Sequence, residues 1–452
     1  MGKLKKSNDK NFDLKEQDVL IGSRVLNSDT TKNRIEYFIN NVEDNLSFNL
    51  GYKTPNKKKD LCEKFLKYRQ LWKSQPYKII NNYKKNFREE IKKIKPLCID
   101  LEVASICDLA CPHCFREYLA TPDKIIDFNL AKKIIDQAAE IGVYSIKFNW
   151  RGEPLLNPKL PELIYYAKKK GIIETIINTN ATNLTKKKSK ELIDNGLDYM
   201  IYSFDGGVKS TYEKLRPGRF KKNTFEQVVK NIQNFKKIRE ENNAKFPYTK
   251  IQMVLMESNR MELDDFHKLF NQYVDEVTVT LYSERGGKIN DLNDKNQKIL
   301  SKYLKENKLS ENTPYMLDGN NNLYVSKKRK ACNQIFQRMM VTYDGRAGMC
   351  CMDWGAKHNL GYLSEKGYNH RNEEKKIYEK VKKKNNGFEL LQNIKIPKIF
   401  HNPKKEVSNL SNIWENDILN DVRENHLNDN VNKIEICKGC TSRDTFEWIK
   451  IV

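Results

Sequence analysis

The sequence of 452 residues contains no apolar run approaching the ~20 residues that span a bilayer. Its first residues, Met-Gly-Lys-Leu-Lys-Lys, lack the apolar segment of a secretory signal. Gly2 is followed by Lys3 rather than by a convincing myristoylation pattern. A soluble, cytoplasmic protein with no membrane partner is therefore expected. Apolar residues are also scarce, 38% of the chain against 31% charged, but they fall in short separated runs sufficient for a core. That pattern fits a globular enzyme with a highly charged surface better than a disordered chain. No internal repeat of fixed period occurs.

Charge of one sign is in excess. There are 82 Lys and Arg against 59 Asp and Glu, a formal net charge of +23. Such a surface can attract nucleic acid by releasing condensed counterions. The lysine runs, among them Lys57-Lys58-Lys59 and Lys382-Lys383-Lys384, are scattered and carry little aromatic interleaving. They read as solvated faces, and a nucleic-acid partner is not expected.

A chain of this length exceeds one ordinary core, so several domains are expected. Residues 1–95 are polar, basic and mostly helical in pattern, with apolar residues at helical spacing over Lys57–Gln75 and Tyr77–Ile94. A cap on the following domain is the favoured reading of this extension. Over residues 96–290 the pattern alternates. Strands are expected at Leu97–Ala104, Ser145–Trp150, Thr175–Thr179, Met200–Asp205, Lys250–Leu255 and Glu276–Tyr282, with helices between them. This predicts an α/β fold, a partial (β/α)6 barrel with active-site groups at the C-terminal ends of the strands. A polar stretch with Gly286-Gly287 and an Asn-rich run leads through a connector at 291–325. The last region, 326–452, is expected to be a small α+β domain. It has a hairpin about Asp344-Gly345, a charged insert at 364–408 and a helix around Ile413–His426.

Ten cysteines occur, and in a cytosolic chain of this size a disulfide framework is not expected. Their grouping points to metal ligation. Cys107-Asp-Leu-Ala-Cys111-Pro-His-Cys114 directly follows the first expected strand. Three thiolates on one short loop can converge on three irons of a cubane cluster. No fourth ligand follows at matching spacing, which leaves one iron open, as in a reactive rather than a structural site. Zinc is the competing occupant, although C-x3-C-x2-C is an odd spacing for it and His113 lies awkwardly inside the loop.

This triplet resembles the signature of the radical S-adenosylmethionine (SAM) superfamily. The resemblance implies that the open iron of a [4Fe–4S] cluster is chelated by SAM. Reduction then breaks a C–S bond to give methionine and a 5′-deoxyadenosyl radical that abstracts a substrate hydrogen. Phe115 matches the family aromatic that packs near the adenine. Arg151-Gly152-Glu153-Pro154 is similar to the family's Gly-Gly-Glu-Pro motif, which binds the SAM amino group, with Arg151 in place of the first glycine. Asn180, Ser203, Asp205 and Arg216, at or beyond the ends of the next strands, are implied as further cofactor contacts. Capping is the competing role for Ser203 and Asp205, and surface placement for Arg216.

The late cysteines resemble the SPASM and twitch extensions that hold auxiliary [4Fe–4S] clusters. Cys332, Cys350, Cys437 and Cys440 would complete one cluster without an open iron. Cys350 and Cys351 point to opposite faces if the segment is a strand, so only one should ligate. Cys351 is then a candidate hydrogen donor in the active site. Cys62 and Cys98 read as packing residues.

The resemblance implies a radical SAM enzyme that oxidises or epimerises a sugar or cyclitol, supplied with electrons by a flavodoxin or ferredoxin. A peptide-modifying maturase is the alternative within enzymes. A zinc-containing nucleic-acid-binding protein is the alternative outside them.

Overall fold

The computed structural model describes residues 30–51, 56–83, 85–281, 293–309, 313, 315–317, 322–329, 331–383, 394–438, 440 and 445–452. Its first helices are α1 (Thr30–Asn40), α2 (Leu46–Gly51), α3 (Lys57–Asn82) and α4 (Phe87–Lys92). Where the sequence pattern suggested a break before Tyr77, α3 runs on through Pro76. Proline has no N–H for the carbonyl four residues earlier, that of Trp72. The side-chain amide of Gln337 donates to that carbonyl instead. Gln75 donates to the Phe336 carbonyl at 2.7 Å and to that of Lys95 at 3.0 Å. The long helix is thus pinned to the segment that precedes a later strand.

Next come β1 (Cys98–Leu101), α5 (Phe128–Glu140), β2 (Ser145–Lys147), α6 (Leu160–Lys169), β3 (Glu174–Thr179), α7 (Lys186–Asp194) and β4 (Tyr199–Ser203). They are followed by α8 (Lys209–Leu215), α9 (Phe225–Glu241), β5 (Tyr248–Leu255), α10 (Leu263–Phe270) and β6 (Glu276–Leu281). All six strands are parallel, and each begins within two residues of its expected start. The local causes are visible in α5. Asp127 caps it by accepting from Leu130 N at 3.0 Å, and Leu130, Ala131, Ile134, Ile135 and Ala138 form its buried stripe. Gly142, at φ +73°, follows its end. That stripe packs on Ile99, Leu101, Ile146 and Phe148, which share one face of the sheet.

The remaining elements are α11 (Asp294–Glu306), β7 (Tyr315–Leu317), β8 (Leu323–Arg329), β9 (Arg338–Val341), β10 (Arg346–Gly348) and β11 (Asn359–Tyr362). They end with α12 (His370–Lys383), α13 (Leu410–Glu415), α14 (Asp417–Leu427), α15 (Glu435–Lys438) and β12 (Thr445–Lys450). The stretch read as a polar connector therefore contains a helix and strand β7. A separate sheet runs in the order β12-β8-β7. The Asp344-Gly345 hairpin forms, with Ala347 opposite Val341 and Gly345 at φ +85°.

Strand β9 lies parallel to β1, pairing Cys98 with Arg338 and Leu101 with Val341. The sheet order is β11-β10-β9-β1-β2-β3-β4-β5-β6, an open partial barrel. The late strands thus extend the barrel sheet and satisfy the edge that β1 would otherwise leave bare.

The N-terminal helices pack against the end of the barrel where its strands begin. Asn45 donates to Asp198 at 2.6 Å, and Tyr68 pairs with Ser145 at 3.0 Å. Arg34 lies 3.4 Å from Glu174, and Lys168 meets Asp198 at 2.7 Å with both side chains buried.

Candidate active site

At the opposite end, the loop after β1 carries Cys107, Cys111 and Cys114. It is held from three sides. Ala110 N donates to Pro217 O at 2.9 Å, and Arg219 N to Asp108 O at 2.7 Å. The Asp108 carboxylate accepts from Asn180 Nδ2 at 2.9 Å, Thr182 Oγ1 at 2.5 Å and Asn183 Nδ2 at 2.9 Å. The third support is Gly152-Glu153-Pro154, for Glu153 N donates to Ile106 O at 2.8 Å. Gly152 sits at φ +68°, and a Cβ there would lie 2.4 Å from Ala104 O and 2.5 Å from Ile106 O. Only glycine permits that approach.

Glu153 is buried. Its carboxylate accepts from Thr179 Oγ1 at 2.7 Å, Asn180 N at 2.8 Å and Leu155 N at 3.0 Å. Burial, and then the Asp108 charge, push its carboxyl up to about 7 against those donors. Arg151, where a glycine was the family expectation, clasps Glu102 with Nε at 2.5 Å and Nη2 at 2.8 Å. Glu102 also accepts from Tyr343 N at 3.1 Å, so the pair joins the ends of β1 and β2 to the turn after β9.

Other expected cofactor contacts have partners within the protein. Asp205 accepts from Arg216 at 2.6 and 2.9 Å, lies 3.0 Å from His113 Nε2, and accepts from Val254 N at 2.8 Å. Against the upward push of burial, Arg216 and then His113 hold its carboxyl well below the usual range. A carboxylate with three partners and a guanidinium bound to it are parts of the wall. This differs from the expected ribose and SAM-carboxylate contacts. Asn180 likewise spends its side chain on Asp108, Thr182 and Cys107. Phe115 is buried beside Trp354, ring centres 5.9 Å apart, in a cluster with Leu119, Leu215 and Met256. Ser203 is half-buried at the end of β4.

The three thiols are close enough for the charges of Cys107 and Cys114 to act on Cys111. Burial pushes the Cys107 thiol up to about 12, so metal binding there must displace a proton. Among the described residues, no three Cys, His, Asp or Glu side chains converge closely enough to hold a single metal ion. A cubane takes its thiolates at separate irons and does not require that convergence. The donor set, three thiolates on one loop, fits such a cluster.

The late cysteines meet through tertiary structure. Burial, and then the charges of Cys351, Cys437 and Cys440, raise the Cys350 thiol well above its ordinary value. Cys332 N donates to His426 Nδ1 at 3.2 Å, and His426 Nε2 lies 3.4 Å from Cys437 Sγ. Cys351 packs with Trp150, Met340 and Ala356 as well as against the core that holds Cys350 and Cys437, and reaches Gln334 Oε1 at 3.9 Å. Its carbonyl accepts from Trp150 Nε1 at 3.1 Å.

Strand alternation fixes the lining of the barrel. Ile146, Ile177, Tyr202, Ile251 and Met253 face the helices and are buried. The intervening Lys147, Asn178, Ser203 and Gln252 are only half-buried and turn to the lumen. Asn178 Oδ1 is enclosed and has no hydrogen-bond partner among the described residues. Asp100, also on this face, pairs with Arg338 at 3.0 Å.

Sequence reasoning missed Glu102, Asp108 and His426 as parts of these sites. The one visible signal was Arg151, a charge where the motif has glycine. Among the described residues no helix is long and apolar enough to cross a membrane.

Residues 101–270 match the family described as the Radical SAM superfamily. A tungsten-containing aldehyde ferredoxin oxidoreductase cofactor-modifying protein of Pyrococcus furiosus is 28% identical over 40% of this chain and 50% of that protein. A GTP 3′,8-cyclase of Chlorobaculum tepidum is 32% identical over 29% of this chain and 38% of that protein. A PqqA peptide cyclase of Bradyrhizobium diazoefficiens is 36% identical over 25% of this chain and 29% of that one. The matched regions span half or less of each of these relatives.

Proposed function

We propose that this chain, a radical SAM enzyme by the domain at residues 101–270, oxidises a small polyhydroxylated substrate of sugar or cyclitol type. The observation that carries the reading is the mutual fit of two loops. Gly152 and Glu153 lie directly on the backbone of the loop that bears Cys107, Cys111 and Cys114. Those three cysteines would hold a [4Fe–4S] cluster, and Cys332, Cys350, Cys437 and Cys440 a second one. When bound, these clusters and SAM supply reductive cofactor cleavage, hydrogen-atom abstraction and a sink for the electron left on the substrate. The cleaving electron enters from a flavodoxin- or ferredoxin-type donor.

The chain's own residues do the rest. The carbonyls of the Gly152–Pro154 turn would accept from the SAM ammonium, and Phe115 would pack beside the adenine. Lys147, Asn178, Ser203 and Gln252 offer hydrogen bonds to a substrate rich in hydroxyls, and the Asn178 oxygen accepts one from a substrate hydroxyl. The N-terminal helices keep water from the lumen's lower end, protecting a reactive intermediate. Epimerisation is the alternative outcome, in which Cys351, near Trp150 and Gln334, would return the hydrogen in place of electron removal.

The peptide alternative draws on the PqqA peptide cyclase relative. Deuterium transfer separates the two readings. Reduced, reconstituted enzyme with SAM should move deuterium from perdeuterated glucose, glucosamine or myo-inositol into 5′-deoxyadenosine. Transfer only from deuterated peptides would overturn the sugar reading.

A further inference from the structure

Asn180 stands just beyond β3, 5% exposed, with both ends of its side-chain amide engaged. Its main-chain N–H donates to Glu153 Oε2 at 2.8 Å. Its Oδ1 accepts from Thr182 N at 3.0 Å. One Nδ2 hydrogen goes to Asp108 Oδ1 at 2.9 Å, and the other points to Cys107 Sγ at 3.9 Å. The partners fix which way the amide faces. A main-chain N–H can only donate and an ionised carboxylate can only accept, so oxygen meets Thr182 and nitrogen meets Asp108. A primary amide has two N–H donors, and both are spent. No side-chain N–H remains to bind a cofactor.

We infer that Asn180 is a positioning residue for the Cys107 thiolate, donating an N–H···S hydrogen bond and setting the reduction potential of the cluster held there. It acts twice on the same loop. Directly, it places a donor on the sulfur. Through Asp108, the residue next to Cys107, it anchors the backbone from which that sulfur projects. Reduction adds negative charge to a cluster and its thiolates. A donor aimed at sulfur stabilises the reduced form more than the oxidised one and raises the potential. Its loss should make the cluster harder to reduce. The inference rests on the reading that Cys107 ligates a cluster.

The test is a redox titration of the reconstituted full-length chain, followed by electron paramagnetic resonance and by the Fe–S(Cys) stretching bands. Asn180→Ala and the near-isosteric Asn180→Leu both remove the donor. Each should assemble the cluster, shift its midpoint to a more negative potential and move an Fe–S(Cys) band. Asn183→Ala is the control, since it removes a bond to Asp108 Oδ2 but none to sulfur. It should leave midpoint and band in place. Equal shifts in Asn183→Ala, or none in the two Asn180 variants, would overturn the inference. So would failure of both Asn180 variants to assemble a cluster, which would make the residue a folding element. Absence of iron from the unmodified protein would instead sink the cluster reading itself.

Discussion

The two groups of cysteines differ in how they are brought together. Cys107, Cys111 and Cys114 occupy one loop, so the chain's local geometry does most of the work of convergence. Neighbouring loops supply the bracing: Asp108 with Asn180, Thr182 and Asn183, and Gly152 against Ala104 and Ile106. The late group is collected from the loop after β10, the segment before β9 and the region around α15. It needs the whole C-terminal fold, with His426 standing between Cys332 and Cys437. A site made locally can be read as a motif. A site made by tertiary folding depends on elements that spacing does not describe.

The contrast is sharpened most by removing thiolates. Changing Cys107, Cys111 or Cys114 to Ala should reduce SAM cleavage to background, read as 5′-deoxyadenosine released after reduction. Cys437→Ala should retain cleavage yet yield no oxidised product. Loss of cleavage in both would erase the distinction between the sites.

A smaller effect is expected from the ion pair that joins the two regions. Arg151 and Glu102 are both buried, and Tyr343 N binds the same carboxylate. Arg151→Met leaves that carboxylate without its cation, which should cost about 3–5 kcal/mol of unfolding free energy. Denaturant titration measures it. A cost near zero would mean that the β9–β1 ladder and the Tyr343 hydrogen bond hold the junction without the guanidinium.

The smallest effect is a pair of opposite pH arms in the cluster-free protein. Glu153, raised to about 7 from 4.5 first by burial, contributes stability present below 4.5 and lost as pH rises through 7. His358 and His370, lowered to about 4 from 6.5 chiefly by burial, contribute stability present above 6.5 and lost as pH falls through 4. Thermal melts against pH should show a weaker alkaline arm in Glu153→Gln and a weaker acid arm in His358→Leu, with His370→Leu removing a further part. Unchanged arms would contradict these assignments.

Much of the barrel was legible because β-rich runs alternate with amphipathic helices, and each such unit is locally consistent. Other parts were not. Pro76 reads as a break, and only Gln337, far away in sequence, shows why α3 continues. The pairing of β9 with β1 is a long-range register with no local signal. The stretch before β8 looks like a connector because its helix is mostly charged and polar outside Leu300 and Leu304, and strand β7 is only three residues long. At the site, the motif cysteines and the Gly-Glu-Pro turn were readable. Asp205 and Arg216 were recognised as site residues, but their bond to each other was not, since residue types do not reveal which opposite charge a carboxylate will choose.

On the proposed function the chain holds two clusters of different character, one open to SAM and one closed. The most direct measurement is the electron paramagnetic resonance spectrum of the anaerobically reconstituted, reduced protein with and without SAM. About eight irons per chain and two cluster signals are predicted. SAM should perturb one signal, which Cys107→Ala abolishes, and leave the other, which Cys437→Ala abolishes. Protein that takes up no iron, or a spectrum that SAM leaves unchanged, would contradict the account.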